Sequence, residues 1–210
     1  MTILLLLVFG LFAQAQDETM QSCPLEEIAE GWKTKPIDNV VNGSFAVMLE
    51  RFDQTWPTWM TRAVRATMKK GLAKEVLEEE TALTVIVDAR NGYVSVSDAG
   101  TDGEYMSACV WNRSNGHRLL AVCMGDPTDP FIEFTCFYDY DPHRKILNPE
   151  PDILAGFRKW TARNPYYLKL PRKGKNLVID DWGEDGPLRH TFKWDGMKPV
   201  LSKTEPLPDE

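Results

Sequence analysis

Two similar stretches, VDARNGYVSVS (residues 87–97) and WNRSNGHRLLAV (residues 111–122), decide the predicted fold. Each contains an Asn-Gly pair, at 91–92 and at 115–116, between runs in which apolar and polar residues alternate. Alternation with a period of two is typical of a half-buried β-strand, and Asn-Gly favours the type I′ turn, which needs positive φ at both central residues. The sequence therefore predicts two β-hairpins with two-residue loops in an antiparallel meander.

The predicted register determines where the strand cysteines point. A two-residue loop at 115–116 places Cys109 and Cys123 on opposite faces of the sheet, so a disulfide between them is disfavoured. A three-residue loop with a bulge would place both on one face. The four cysteines show no Cys-x-x-Cys or metal-ligand spacing. We expect Cys109, Cys123 and Cys136 to be small buried hydrophobes, with a structural disulfide as the alternative.

Helical periodicity surrounds the strand patterns. Ser44 is a predicted N-cap for a helix whose apolar residues recur at i, i+3, i+4 and i+7. Pro57 interrupts this helix or begins a second one, and the apolar stripe continues to about Leu77. A later helix is predicted to begin after Asn148 and to end at Asn164-Pro165. The order of these patterns predicts an α+β fold, an antiparallel β-meander with helices packed on one face.

The two parts of the chain have similar patterns. Residues 44–148 and 149–204 each place a helix before a hairpin that contains Trp, which suggests a duplicated helix-plus-four-strand unit. We expect both halves to belong to a single domain spanning residues 17–204. The polar, Pro-containing segment 205–210 is expected to be a frayed tail.

Composition and the first residues bear on location. The 210-residue chain has a net charge of −7, which argues against nucleic acid and anionic lipid as partners. Residues 1–16, MTILLLLVFGLFAQAQ, contain an apolar run too short to span a bilayer, followed by a small-x-small pattern. No Lys or Arg precedes that run, and a buried segment is the alternative. We expect a signal peptide and export to the periplasm or the extracellular space, with no transmembrane span.

Three segments carry a resemblance to known proteins. VDARNGYVSV, ACVWNRSNGHRLLAV and CFYDYDPHRKILNPEPD resemble segments of exported proteins of unknown function from Bacteroidetes-type bacteria, over residues 80–160. The resemblance implies an envelope or extracellular location, and it transfers no activity and no catalytic residues. The helix-then-four-strand pattern also resembles the architecture of periplasmic PepSY-like and β-lactamase-inhibitor-like domains, at the level of the fold alone.

Charged and imidazole side chains collect at one edge of the predicted meander. A strand over residues 131–140 should run parallel to the strand that ends at the 115–116 turn, so the turns share an edge. The candidate ligand-binding residues at this edge are Arg90, His117, Asp139, Asp141 and His143, and Asp88, Arg118 and Arg144 lie beside them. Such groups suit a polar ligand, or a cation held by oxygen ligands. The alternative is that turns are polar because they face water.

No recognised catalytic or metal motif supports a sharper prediction. Asp139 and Asp141 share a face, but the remaining ligands of a calcium loop are absent, and His143 has no nucleophile placed beside it by a known motif. The sequence therefore predicts no metal and no cofactor. Trp56 and Trp59 are expected in the core, with an aromatic binding platform as the alternative.

Three functions remain open. The leading hypothesis is a non-enzymatic binding or accessory protein of the bacterial envelope, with a protein partner or a polar ligand. The second is a hydrolase that uses Asp139, Asp141 and His143. The third is an inhibitor-like protein that presents a concave sheet to a partner enzyme. A pocket where a carboxylate and an imidazole converge would favour the enzyme.

Overall fold

The computed structural model describes residues 23–79, 81–98, 104–126, 129–157, 166–183 and 186–207. The predicted signal peptide at 1–16 and the predicted helix end at 164–165 lie outside these residues. In the described part of the chain, no helix combines the length and the apolar character that crossing a bilayer requires.

Helices and antiparallel strands make up the described residues, so the predicted α+β class is confirmed. The helices are α1 (Leu25–Gly31), α2 (Phe45–Thr55), α3 (Trp59–Lys69) and α4 (Pro151–Ala155). The first strands are β1 (Lys74–Glu79), β2 (Thr81–Asp88), β3 (Tyr93–Asp98), β4 (Glu104–Asn112), β5 (Arg118–Asp126), β6 (Asp129–Asp141) and β7 (Ile146–Pro149). The last strands are β8 (Tyr166–Lys169), β9 (Leu177–Gly183), β10 (Gly186–Trp194) and β11 (Pro199–Pro206).

The strands form two sheets. Strands β1 to β7 make a seven-stranded sheet in sequence order, and β8 to β11 make a four-stranded sheet, also in sequence order. Every described pair of neighbours is antiparallel, because each strand returns along the strand before it. The first half of the predicted duplication therefore carries seven strands, where the expected unit has four.

Both Asn-Gly turns lie between paired strands as predicted, but the two-residue loops are wrong. Asp88 pairs with Tyr93 and Asn112 pairs with Arg118, which leaves residues 89–92 and 113–117 as the loops. Only the glycines adopt positive φ, +63° at Gly92 and +84° at Gly116. A type I′ turn needs positive φ at the asparagine as well, so these loops are longer and bulged.

The longer second loop moves the register of β4 and β5 by one residue. Cys109 pairs with Ala121, and Cys123 pairs with Ser107. Cys109 and Cys123 therefore lie on the same face, which is the alternative that a bulged loop implied. All four cysteines are free thiols, and Cys109, Cys123 and Cys136 are buried, as expected of small hydrophobes.

Capping residues explain where the early helices begin and end. The Ser44 hydroxyl accepts a hydrogen bond from the Val47 amide at 3.4 Å, so the predicted N-cap of α2 is confirmed. Thr58 caps α3 through a reciprocal pair of bonds with Thr61. The apolar stripe was expected to continue to about Leu77, but α3 ends at Lys69 and Leu77 lies in β1. Gly71, with φ of +69°, takes the chain out of the helix.

Two buried clusters use opposite faces of the seven-stranded sheet. The first joins residues of α1, α2 and α3 to strand residues such as Val85 and Val122. The second joins the neighbouring strand residues, such as Ala121 and Phe137, to side chains of the four-stranded sheet. Ile153 of α4 belongs to this second cluster, so α4 packs on the face opposite to the first three helices, and the predicted packing of the helices on one face is not confirmed.

Trp56 lies in the first cluster, as the core interpretation predicted. It is 3% exposed, and its Nε1 donates to the Tyr138 hydroxyl at 3.0 Å. Trp59 is partly buried and packs against the same cluster. At the other end of the chain, β11 reaches Pro206, and the Leu207 amide donates to the Pro187 carbonyl at 3.0 Å. The strand therefore extends into the segment 205–210 that was expected to be frayed.

Candidate functional site: the polar rim

Three loops share one edge of the seven-stranded sheet. They comprise residues 89–92, 113–117 and 142–145, and they follow β2, β4 and β6. These three strands run parallel to one another because a single antiparallel strand separates each from the next, so they end at the same edge. We call this edge the rim. The common edge expected from the sequence agrees with the observed strand order.

Asp139 is the centre of a polar cluster at the rim. Its Oδ2 lies 2.6 Å from Nδ1 of His117, and its Oδ1 accepts a hydrogen bond from Nη1 of Arg113 at 2.5 Å. The same Nη1 donates to Oε1 of Glu150 at 2.9 Å. The side chains of Arg113 and Asp139 are only 7% and 10% exposed. We call these four residues the rim cluster.

Strand register brings the members of the rim cluster together. Asp139 pairs with Leu119, so it lies beside the start of β5, just after His117. The Arg113 amide donates to the His117 carbonyl at 2.9 Å, which closes the loop and sets both side chains at one site. Asp139 follows Phe137 by two residues and so shares its face, the one that meets the four-stranded sheet.

The rim cluster lies where the two sheets meet. Nε of Arg113 donates to the Met197 carbonyl at 3.0 Å, and the Ser114 amide donates to the Gly196 carbonyl at 2.8 Å. Beside these bonds, the rings of Trp111 and Trp194 stack with centroids 5.5 Å apart and planes inclined by 9°. Arg113 therefore connects a carboxylate of one sheet to the β10–β11 turn of the other.

The other predicted site residues are not part of this cluster. Arg90 is exposed, and within the described residues no contact joins it to Asp139. Asp141 accepts backbone hydrogen bonds from Arg144 and His143 at 3.1 Å and 2.8 Å. The bond from Arg144 lowers the pKa of Asp141 most, and the nearby imidazoles lower that pKa further. Asp141 thus stabilises the 142–145 turn. The His143 side chain is exposed, and the residue contacts Asp141 through its backbone amide.

The remaining rim groups serve neighbouring parts of the fold. Asp88 accepts hydrogen bonds from Nδ2 of Asn91 at 3.0 Å and from Nε of Arg172 at 3.1 Å. Arg118 donates to the carbonyl of Gly43. Arg144 is exposed beside His143. The rim therefore divides into a buried cluster around Asp139 and exposed groups at the 142–145 loop.

The geometry of His117 defines what the cluster can do chemically. With Nδ1 donating to Asp139, the neutral ring keeps Nε2 as an acceptor, and the protonated ring offers it as a donor. The imidazole is 25% exposed, and no described residue bonds to its Nε2. No described hydroxyl or thiol contacts the ring. Among the described residues, no three His, Cys, Asp or Glu side chains are placed to hold a metal ion.

Sequence reasoning missed Arg113 and Glu150. Arg113 stands 26 residues from Asp139, 37 from Glu150 and 84 from Met197, so no local pattern connects them. The only available signal was the position of Arg113 immediately before the 115–116 turn, which places it at the same rim as His117.

Comparisons with known proteins add little to this geometry. No protein-family model matches the chain, and no curated protein matches it. Among solved structures, the chain is similar to a domain of an uncharacterized protein from Porphyromonas gingivalis W83, a Bacteroidetes bacterium. The identity is 10% and the TM-score 0.49, and the match covers 79% of this chain and 99% of that domain. None of these comparisons supports the PepSY-like or β-lactamase-inhibitor-like architecture expected from the sequence.

Proposed function

We propose that this chain is an exported, non-enzymatic binding or accessory protein whose rim holds a polar ligand or a polar group of a partner protein. The observation that carries the proposal is the fixed imidazole of His117. Asp139 and Arg113 are buried and hold each other in place, so the bond to Asp139 orients Nε2 of His117 and reduces the entropic cost of binding.

The exposed groups beside His117 indicate the chemistry of the ligand. His143 and Arg144 are exposed in the 142–145 loop, and Lys145 is exposed next to them. The backbone amides of this loop already satisfy one oxygen of Asp141. The side chains that remain are mainly hydrogen-bond donors, so a carboxylate or another oxygen-rich acidic group fits this surface best.

The experiment compares variants of the mature chain as baits in bacterial envelope extract. H117N removes Nε2 from the site, and R144A removes an exposed cation of the rim. K193A is the matched control, because Lys193 is an exposed cation of β10 outside the rim. A species retained by wild type and K193A, and reduced about fivefold or more by H117N and R144A, supports the proposal; each rim interaction is worth roughly 1 kcal/mol. Equal retention by all four baits contradicts it.

A hydrolase is the second candidate, favoured by the 2.6 Å contact between His117 and Asp139. In this arrangement Asp139 orients the ring, and His117 acts as a general base that takes a proton from water. The imidazole that contacts Asp139 belongs to His117, so in this candidate His117 takes the role of base that the sequence assigned to His143. Turnover of an ester or glycoside panel that is lost in H117N and kept in K193A would establish the hydrolase and overturn the non-enzymatic proposal.

The proposal also includes the location and the domain organisation of the chain. We propose export from the leader-like residues 1–16, a single domain over 17–204, and a relation between the halves 44–148 and 149–204. Each half contains a helix and an antiparallel sheet. The described faces of the larger sheet are both engaged in buried clusters, so the rim offers a better surface for a partner than a concave sheet would.

A further inference from the structure

A polar cavity lies between the two sheets, and its lining includes none of the four residues of the rim cluster. Its volume is about 360 Å³, and its walls come from β2, β3, β8 and the segment after β8. The polar side chains that line it are Tyr93, Ser95, Tyr167, Lys169 and Arg172. Small-molecule sites have volumes of about 300 to 1,000 Å³, so this cavity suits a small ligand.

Ser95 is the first sign that the cavity is built for a ligand. The residue is 2% exposed, and its strand neighbours on this face are Ile86 and Ser107. No described residue forms a hydrogen bond with its hydroxyl. Because Ser95 lines the cavity, its hydroxyl can donate to or accept from a polar group of a ligand there.

Two cations, each paired with a carboxylate, line the same cavity. Nζ of Lys169 lies 3.1 Å from Oδ2 of Asp180, and Nε of Arg172 lies 3.1 Å from Oδ2 of Asp88. Burial of Asp180 opposes its ionisation, but hydrogen bonds from Arg189 and Lys169 outweigh it and lower the pKa of Asp180. Each cation uses one carboxylate as an anchor and keeps further N–H donors for a ligand.

The surroundings favour an anion over a neutral molecule. None of the described lining residues is Asp or Glu, so the walls donate hydrogen bonds and offer no carboxylate. The loop after β8 adds the exposed Lys173 and Lys175 to Arg172. These two lysines add positive charge beside a cavity whose own cations are paired with Asp180 and Asp88.

The two tyrosines indicate a ring in the ligand. Tyr93 is 3% exposed, and Tyr167 is half-buried with the Lys169 ammonium 5.1 Å from its ring centroid. Aromatic faces beside hydrogen-bond donors suit a flat body that carries polar groups. We propose that this cavity binds a small anionic sugar, in which a carboxylate or sulfate meets Lys169 and Arg172 and a hydroxyl meets Ser95.

The test measures binding to the mature chain by amide chemical-shift titration. Glucuronate is the probe; glucose lacks the charge, acetate lacks the ring, and benzoate replaces the sugar by an aromatic ring. Glucuronate should bind most tightly and shift the amides of Ser95 and Lys169. K169M and R172Q should each weaken it about tenfold, and K193M, which removes an exposed cation of β10 outside the lining, should leave affinity unchanged.

Ser95→Ala separates a ligand-binding role from a structural one. It should weaken glucuronate binding about threefold to tenfold while leaving the thermal midpoint nearly unchanged, because the substitution removes one hydroxyl and keeps the Cβ. Equal losses in K193M and K169M would overturn the site, as would equal binding of glucuronate and acetate. Tighter binding of benzoate would overturn the sugar assignment. H117N should not change glucuronate affinity, so failure here is distinct from failure at the rim.

Discussion

Replacing Arg113 by Met tests whether the rim cluster holds the two sheets together. Methionine keeps an apolar stem of similar length and removes the guanidinium. The side chain is 7% exposed and bonds Asp139, Glu150 and the carbonyl of Met197. We expect the substitution to lower the free energy of unfolding by about 3 kcal/mol.

The magnitude follows from what each partner loses. Breaking a buried ion pair by removing one member costs roughly 3 to 5 kcal/mol, because the other charge stays buried. Here Asp139 keeps its bond to His117, which places the loss near the lower limit. Glu150 is 31% exposed, so its pair with Arg113 adds at most about 1 kcal/mol. The Met197 carbonyl loses the hydrogen bond that it accepts from Nε of Arg113.

The assay is urea unfolding followed by tryptophan fluorescence. With a slope of about 2 kcal/mol per molar urea, a loss of 3 kcal/mol lowers the midpoint by roughly 1.5 M. D139N and the double variant R113M/D139N complete a mutant cycle, in which the double variant should lose about 1 to 2 kcal/mol less than the sum. R144M is the control, because Arg144 is exposed at the same rim, and its cost should stay under about 0.5 kcal/mol.

Two results would refute this reasoning. A loss below about 1 kcal/mol in R113M would show that the cluster behaves as a solvent-screened surface pair. Strict additivity in the cycle would show that Arg113 and Asp139 do not act on each other, whatever the distance between them. Either result would also contradict the claim that Arg113 and Asp139 hold His117 in one orientation.

Three further predictions address the turns, the acid response and the thiols. G92A should lower the free energy of unfolding by about 1 kcal/mol more than G116A, because both glycines have positive φ but only at Gly92 would a Cβ meet a side-chain atom, Cγ1 of Val110, at 2.5 Å. Equal losses in urea unfolding would show that the Val110 side chain moves away from the new methyl group. The lowered pKa of Asp180 implies stability that is present above about pH 4 and is lost as the pH falls through the folded-state pKa. The urea midpoints of wild type and D180N should therefore converge between pH 5 and about pH 2, and a constant difference would contradict the linkage. Burial raises the pKa of the Cys109 thiol, so a thiol reagent at pH 8 should label at most Cys23 in the native chain, and fast labelling of a second thiol would contradict this burial.

The positions of the hairpins followed from the sequence, while their register did not. Gly92 and Gly116 supply the positive φ that any tight reversal needs, so the turns lie where the dipeptides are. Asn115 instead accepts a hydrogen bond from the His117 amide at 3.1 Å, a local arrangement that lengthens the loop. An Asn-Gly pair fits both a two-residue loop and a longer one. The two loops differ in register, so they place each side chain of the following strand opposite a different partner.

The candidate site was predictable only in part, for a related reason. His117 and Asp139 could be placed at one edge because strand order alone brings them there. Their direct contact, and the exclusion of His143, depend on the faces that the register assigns. The contacts of Arg113 were beyond prediction, although its place at the rim was not, because the carbonyl of Met197 that it bonds belongs to the other sheet. Contacts between two sheets produce no periodic pattern in the sequence of either segment, so they cannot be read from it.

The position of the rim cluster also determines how ligand binding must act on stability. A ligand that bonds Nε2 of His117 acts on Asp139 through the imidazole, because Nδ1 of the same ring contacts the carboxylate. Arg113 in turn bonds both Asp139 and the Met197 carbonyl of the second sheet. If the ligand binds the folded chain alone, it raises the free energy of unfolding by RT ln(1 + [L]/Kd), or about 2.7 kcal/mol at one hundred times Kd. R113M should weaken such a ligand although Arg113 does not touch Nε2, because Asp139, which orients the imidazole, loses the guanidinium that holds it in place. A ligand whose affinity is unchanged in R113M therefore binds elsewhere, and the cavity beside Lys169 is then the first place to examine.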